Sequence, residues 1–171
     1  VMLLVLLSSL AISWQSSREI RLNREQQGQR LADSLARQSR LALLSDTGDN
    51  VADAMAGALA FPDVQQLEIR RPDGRALVAQ SATGAALTMP AEVAPADALA
   101  AQDAFLEAQD SQSWRFVAVV RTAGSASPFE TEVTQGQLLG YVRVVLSKAS
   151  MQQAMLNLFA LNMGISFFFA L

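Results

Sequence analysis

Two stretches of the chain set arginine and tyrosine at alternate positions of apolar runs. In WRFVAVVRT, residues 114–122, every second position holds Arg115, Val117, Val119 and Arg121; in LLGYVRVVLS, residues 138–147, the same spacing holds Leu139, Tyr141, Arg143 and Val145. Alternate residues of an extended chain share one face. If the two faces coincide, Arg115, Arg121, Tyr141 and Arg143 converge beside an apolar floor. Guanidinium groups take a carboxylate through paired, charge-assisted hydrogen bonds, so the chemistry on offer is recognition of a small anionic ligand. The competing reading is that arginines at strand ends reach solvent or pair with nearby acids.

Other chemistry is poorly supplied. The chain has neither His nor Cys, and its single lysine is Lys148. The commonest general base, the usual zinc ligands, a thiol nucleophile and a disulfide framework are therefore missing. Asp46, Asp49 and Asp53 lie close in sequence, but their spacing departs from the calcium-loop pattern, and helix capping with first-turn charge accounts for them better. No glycine-rich phosphate loop occurs. The expectation is a non-catalytic chain with no metal and no cofactor.

The net charge is −3, which argues against nucleic acid as a partner, because clustered cations supply most of such affinity. The charge is unevenly placed. Residues 18–40 carry six Arg against three acids, the remainder to Lys148 seven bases against thirteen acids, and the two ends none.

The elements that must hold the arginines can be read from periodicity. Residues 15–45 lack proline and repeat Ile20, Leu31, Leu35, Leu41 or Ala42, and Leu44 at helical intervals, which predicts one long helix. Its seam, with Asn23, Gln27, Ser34 and Gln38, fits either contact with a second copy or packing within a monomer. SDTGDN then breaks the helix, with Gly48 expected left-handed and Asp46, Thr47 or Asp49 as a cap. A short helix over 50–60 follows, burying Val51, Met55 and Leu59.

Val64 to Arg71 alternates as a half-buried strand, with Leu67 and Ile69 inward and Gln66, Glu68 and Arg70 outward. Arg71-Pro72-Asp73-Gly74 makes a turn, and 76–80 returns as its partner. Residues 81–95 read as loop, and ADALAAQDAFLEAQ as a short helix or an ordered connection. The segments 114–122 and 138–147 are central strands, paired antiparallel, joined by the loop GSASPFETEVTQGQ.

Residues 1–17 and 149–171 are charge-free and apolar. A membrane span needs roughly 20 residues for about 30 Å of hydrocarbon, so both read as truncated transmembrane helices, with Trp14 at the interface. A cleavable signal peptide is the rival for the first. Asn157 and Asn162, with Gly164 and Ser166 nearby, offer a helix contact in the second. Residues 18–147 are placed outside, because both removed ends then lie in the cytoplasm.

The order of long helix, short helix, FPDVQQLEIRRPDGRAL hairpin, variable middle, then WRFVAVVR and LLGYVRVVLS running into a span resembles the PAS-like extracytoplasmic sensor domains of the Cache or PDC class. Pro62-Asp63-Val64 at the strand start and the Asp73-Gly74 turn carry that resemblance most directly. It is similar to the sensor regions of hybrid histidine kinases of the GacS/BarA kind and of membrane-bound diguanylate cyclases. The resemblance implies an α+β fold, with a long N-terminal helix and a short helix packed on an antiparallel PAS-like sheet over 18–147, flanked by transmembrane helices over 1–17 and 148–171. It further implies a homodimer that senses a ligand or stimulus and signals through its membrane helices to a cytoplasmic histidine kinase or cyclase; joined to the readings above, this places the chain in the bacterial inner membrane with 18–147 in the periplasm, responding to a small anionic ligand or a periplasmic protein partner. The alternative is a membrane-anchored envelope protein whose outer domain binds another protein.

Overall fold

The first proline is Pro62, and upstream of it the backbone is almost wholly helical. The structure, a computed structural model, describes the backbone of residues 2–122 and 136–168 and, within those ranges, the side chains from residue 18 onward except 158, 159 and 162–168. Most of the loop GSASPFETEVTQGQ and the side chains of Asn162, Gly164 and Ser166 lie outside the described residues. Helix α1 spans Met2–Gln38 and α2 Arg40–Ser45, so the long helix forms with one break. At the break Ser39 is buried, and its Oγ donates to the Leu35 carbonyl at 2.6 Å, a back-bond that bends helices.

The buried stripe of this helix is smaller than its leucines indicate. Gly28, Ala32, Leu35, Ala36 and Ala42 are buried, Ile20 and Leu31 are half-buried, and Leu41 and Leu44 are exposed. Small residues let the helix axis approach the sheet. A Cβ at Gly28 would stand 2.2 Å from the Phe116 ring.

After α2 the left-handed residue is Asp46, at φ 57°, whereas Gly48 is right-handed at φ −76°. Asp46 adopts this conformation with its carboxylate on Arg71 Nε at 2.7 Å, and short polar side chains tolerate it. No side chain caps the 3-10 turn Asp49–Val51 or the helix α3, Ala52–Leu59, so the expected capping role falls away. Val51, Met55 and Ala58 point inward, with Leu59 half-buried.

Five antiparallel strands make one sheet in the order β2-β1-β5-β4-β3: β1 Val64–Arg70, β2 Ala76–Ser81, β3 Phe105–Gln109, β4 Ser113–Arg121 and β5 Leu138–Ser147. Strand β5 is central and β4 interior, paired as expected. The segment ADALAAQDAFLEAQ holds more than a helix: α4 spans Ala96–Ala100, and FLEAQ is the edge strand β3.

One face of the sheet, with Leu67, Ile69, Trp114, Phe116, Ala118, Val120, Val142, Val144 and Leu146, packs against α1, α2 and α3. The other face is crossed by residues 88–104, here called the strap, where Ala94 and Ala98 pack on Val117 and Tyr141. That cover overturns the expectation of an outward Glu68 and Arg70. Both are buried.

The β1–β2 turn forms as expected: Gly74 N–H donates to Arg71 O at 2.9 Å with φ +84°, and a Cβ there would lie 2.7 Å from the Glu92 carbonyl carbon in the strap. Gly74→Ala is therefore expected to cost about 1–2 kcal/mol in backbone strain, read as a lower urea midpoint. The loss should exceed that of Asp73→Ala, which removes an exposed carboxylate bonded to Arg75.

In the β3–β4 turn, Asp110 accepts from Gln112 N at 2.7 Å, from Ser113 N at 2.6 Å and from Ser113 Oγ at 2.8 Å. The Gln112 bond foremost, then the Ser113 bonds and the Lys148 charge, hold its carboxyl below the usual range, and the Arg71 hydrogen bond does the same for Asp46. A carboxyl depressed on folding stabilises above its unfolded pKa, about 3.9, and loses that contribution as pH falls through the lower folded value. The urea midpoint should drop in that acid window, and Asp110→Asn should flatten the drop.

Strand β5 runs into α5, Ala149–Phe168, with only Lys148 between. Among the described residues no helix is long and apolar enough to cross a membrane.

Candidate functional site

Antiparallel register decides which of the alternating side chains meet. Val117 faces Arg143 and Val119 faces Tyr141 across β4 and β5, while Glu68 faces Arg143 and Arg70 faces Tyr141 across β1 and β5. The expected coincidence of faces therefore occurs, and the strap-side face gains Glu68 and Arg70 from β1. On β3 the register shifts between Leu106 and Ala108, and such a bulge re-aims the residue within it. That residue, Glu107, reaches the same cluster.

Arg143 is the centre. Its Nη2 donates to Glu107 Oε1 at 2.6 Å and its Nη1 to Glu92 Oε2 at 3.0 Å, with Glu68 Oε2 at 3.6 Å. Arg70 Nε donates to Glu68 Oε2 at 2.5 Å, and its Nη1 donates to the carbonyls of Gly74 and Pro90 at 2.7 and 2.8 Å. Arg115, half-exposed, stands 3.8 Å from Glu92 and 3.9 Å from Glu107. Three guanidiniums thus face three carboxylates.

Burial weakens the Arg143 charge, yet Glu107, Glu68 and Glu92 outweigh it, so its pKa is raised and the group stays a cation. Arg70 Nη2, Arg143 Nε and Glu107 Oε2 are buried without a protein hydrogen-bond partner, so the cluster keeps donor and acceptor capacity in reserve.

Tyr141 is fully buried, and its hydroxyl donates to the Glu92 carbonyl, which makes it a strut for the strap. Burial raises its pKa. The strap is tied down also by Glu92 N–H on Gly74 O at 3.1 Å. The Glu92 side chain is the one acid of the cluster that is largely open to solvent, 49% against 6% or less for Glu68 and Glu107.

Arg121 does not join this group. It lies six residues from Arg115 along β4, about 20 Å at strand rise, beyond the reach of one small ligand. Its Nη2 donates to Leu99 O at 2.7 Å and its Nη1 to Gly136 O at 3.5 Å. There it lines a separate open groove of about 330 Å³ with Asp33, Arg37, Arg40 and Asp103.

Of the four residues expected to converge, Arg115, Tyr141 and Arg143 do. Glu68, Arg70, Glu92 and Glu107 were missed. The signal for Glu68 and Arg70 was present: their alternation in 64–71 matches that of the two arginine strands. Glu107 depends on a bulge and Glu92 on the strap's path, which local pattern does not carry. Among the described residues no three metal-ligating side chains are placed to hold a metal ion together. The chain matches no protein-family model, no curated protein and no solved structure.

Proposed function

We propose that the chain is the stimulus-sensing region of a membrane-bound signal-transduction protein, with the strap face of a PAS-like domain as its receptor surface. In this reading the domain lies in the periplasm, the helical ends cross the inner membrane, two copies associate along α1, and the output is a histidine kinase or a diguanylate cyclase. The chain itself catalyses nothing.

The observation that carries the reading is the course of β5. One strand bears Arg143 at the centre of the charged face and, six residues on, becomes α5 at Ala149. A change in what Arg143 holds is thus about 13 Å of strand, plus Lys148, away from the charge-free helix. A buried ion cluster is also a costly way to fill a sheet face, since apolar side chains of similar volume are often as stable or more so. Its presence fits a face that must recognise charge.

The ligand class follows from the charge count. With Glu92 swung out, three guanidiniums remain with two carboxylates, and the surplus positive charge with its spare donors suits a small carboxylate. Glu92 occupies that position when no ligand does. A ligand shifts an equilibrium only by binding one arrangement better, and here it would favour the strap released.

Thermal unfolding across a panel of small carboxylates, amino acids, sugars and divalent ions tests this. A carboxylate at ten times its dissociation constant should stabilise by about 1.4 kcal/mol. The shift should grow in Glu92→Gln, where the competing carboxylate is gone, and vanish in Arg115→Ala. No shift with any compound in either background would remove the ligand site and favour a protein partner on the same face.

A further inference from the structure

A second cationic site lies at the opposite end of the domain from the strap's Arg121 groove, where α1, β4 and α5 meet. An open cavity of about 500 Å³ is lined by Arg18, Arg21, Gln109, Trp114, Lys148, Met151 and Met155, with no carboxylate among the lining side chains. Arg18 and Arg21 are three apart and so share a face of α1. Met151 and Met155 are four apart on α5 and line the same wall. The next arginine along α1, Arg24, pairs with Asp63 at 3.1 Å. Lys148 Nζ lies 5.0 Å over the Trp114 ring and donates to the Asp110 carbonyl. Burial, with the Arg21 charge added to it and the Asp110 charge opposing, pushes the Lys148 ammonium below its usual range.

Two features narrow what could fill the space. The cavity sits at the level where charge ends in both directions along the chain, at Arg18 toward residue 1 and at Lys148 toward residue 171. Its lining is also mixed, three cations from Arg18, Arg21 and Lys148 beside the apolar surface of Trp114, Met151 and Met155. A free inorganic anion would use only the cations. An anionic headgroup with its glycerol and first methylenes would use both kinds of surface.

We propose that this cavity binds the phosphate of an anionic phospholipid, with Arg18, Arg21 and Lys148 on the headgroup and the Trp114, Met151 and Met155 wall against the start of the acyl chains. The inference rests on the membrane reading given above. Bound lipid would fix α1 against α5 at the base of the domain, where their relative position matters for transmission.

The test uses the full chain in neutral detergent, with Trp14→Phe so that Trp114 is the sole indole. Titrated phosphatidylglycerol should change Trp114 fluorescence saturably, and phosphatidylcholine should not. Arg18→Gln with Arg21→Gln should weaken the response at least tenfold, from about fivefold per cation near an anionic surface. Both positions are exposed, so the fold should persist, and an unchanged unfolding midpoint checks it. An equal response to phosphatidylcholine, an unaffected double variant, or the same change with millimolar inorganic phosphate alone would overturn the proposal. Flotation separates the two readings. A chain that fails to float with phosphatidylcholine vesicles refutes the membrane reading, and one that floats but shows no phosphatidylglycerol response at Trp114 refutes the headgroup site alone.

Discussion

Arg143→Met is expected to destabilise the domain by about 3–5 kcal/mol, as removal of one partner from a buried ion pair does. Methionine fills much of the volume, so the loss is chiefly electrostatic. Among the described residues, Glu68 and Glu107 would remain buried with Arg70 and the half-exposed Arg115 as their nearby cations. Glu92→Gln should cost far less, on the order of 1 kcal/mol or below, because that side chain is half open to water and its pair is screened. The contrast between the two, read from urea midpoints of the chain in neutral detergent, separates the buried part of the cluster from its movable member. Equal effects would mean that Glu92 is as much a part of the core as Glu107.

Phe116→Ala should have an effect of similar size, about 3–5 kcal/mol, since the ring is fully buried and its removal leaves a cavity under α1. The more specific expectation concerns its neighbour. Alanine in place of Gly28 would gain up to about 1 kcal/mol of helix propensity, but its Cβ would fall 2.2 Å from the ring. Overpacking of that kind costs about 1–3 kcal/mol, so Gly28→Ala should destabilise the parent. In the Phe116→Ala background the clash is gone and the same substitution should stabilise. A change of sign is the coupling expected of two residues in direct contact. If Gly28→Ala behaves identically in both backgrounds, α1 does not dock on β4 as described.

Much of this architecture was legible in local pattern. The proline-free helix, the Asp73-Gly74 hairpin and the two apolar strands each obey a short-range rule, and their alternation was enough to place Arg115, Tyr141 and Arg143 on one face. What escaped was set by tertiary context. Gln66, Glu68 and Arg70 look like a solvent face because polar residues normally line one. Glu68 and Arg70 are buried, and Gln66 half-buried, because 88–104, a stretch with little periodicity, folds over them.

β3 was hidden for a related reason. FLEAQ is short, lies at the sheet edge and follows an alanine-rich run that reads as helix, so only pairing with β4 makes it a strand. The left-handed residue after α2 followed the ion pair to Arg71 rather than the nearest glycine. Arg121 shares a face with Arg115 by alternation, but distance along the strand separates them, which a face-sharing rule ignores.

In the proposed mechanism the strap's grip on Arg143 and the start of α5 are mechanically joined through β5. Amide hydrogen exchange on the full chain, wild type against Glu92→Gln, measures that directly. Loosening the strap by one charge should raise exchange in residues 88–104 and also in the first turns of α5, 150–156, while β2 keeps its protection. Faster exchange confined to the strap, with 150–156 as in the wild type, would contradict the account.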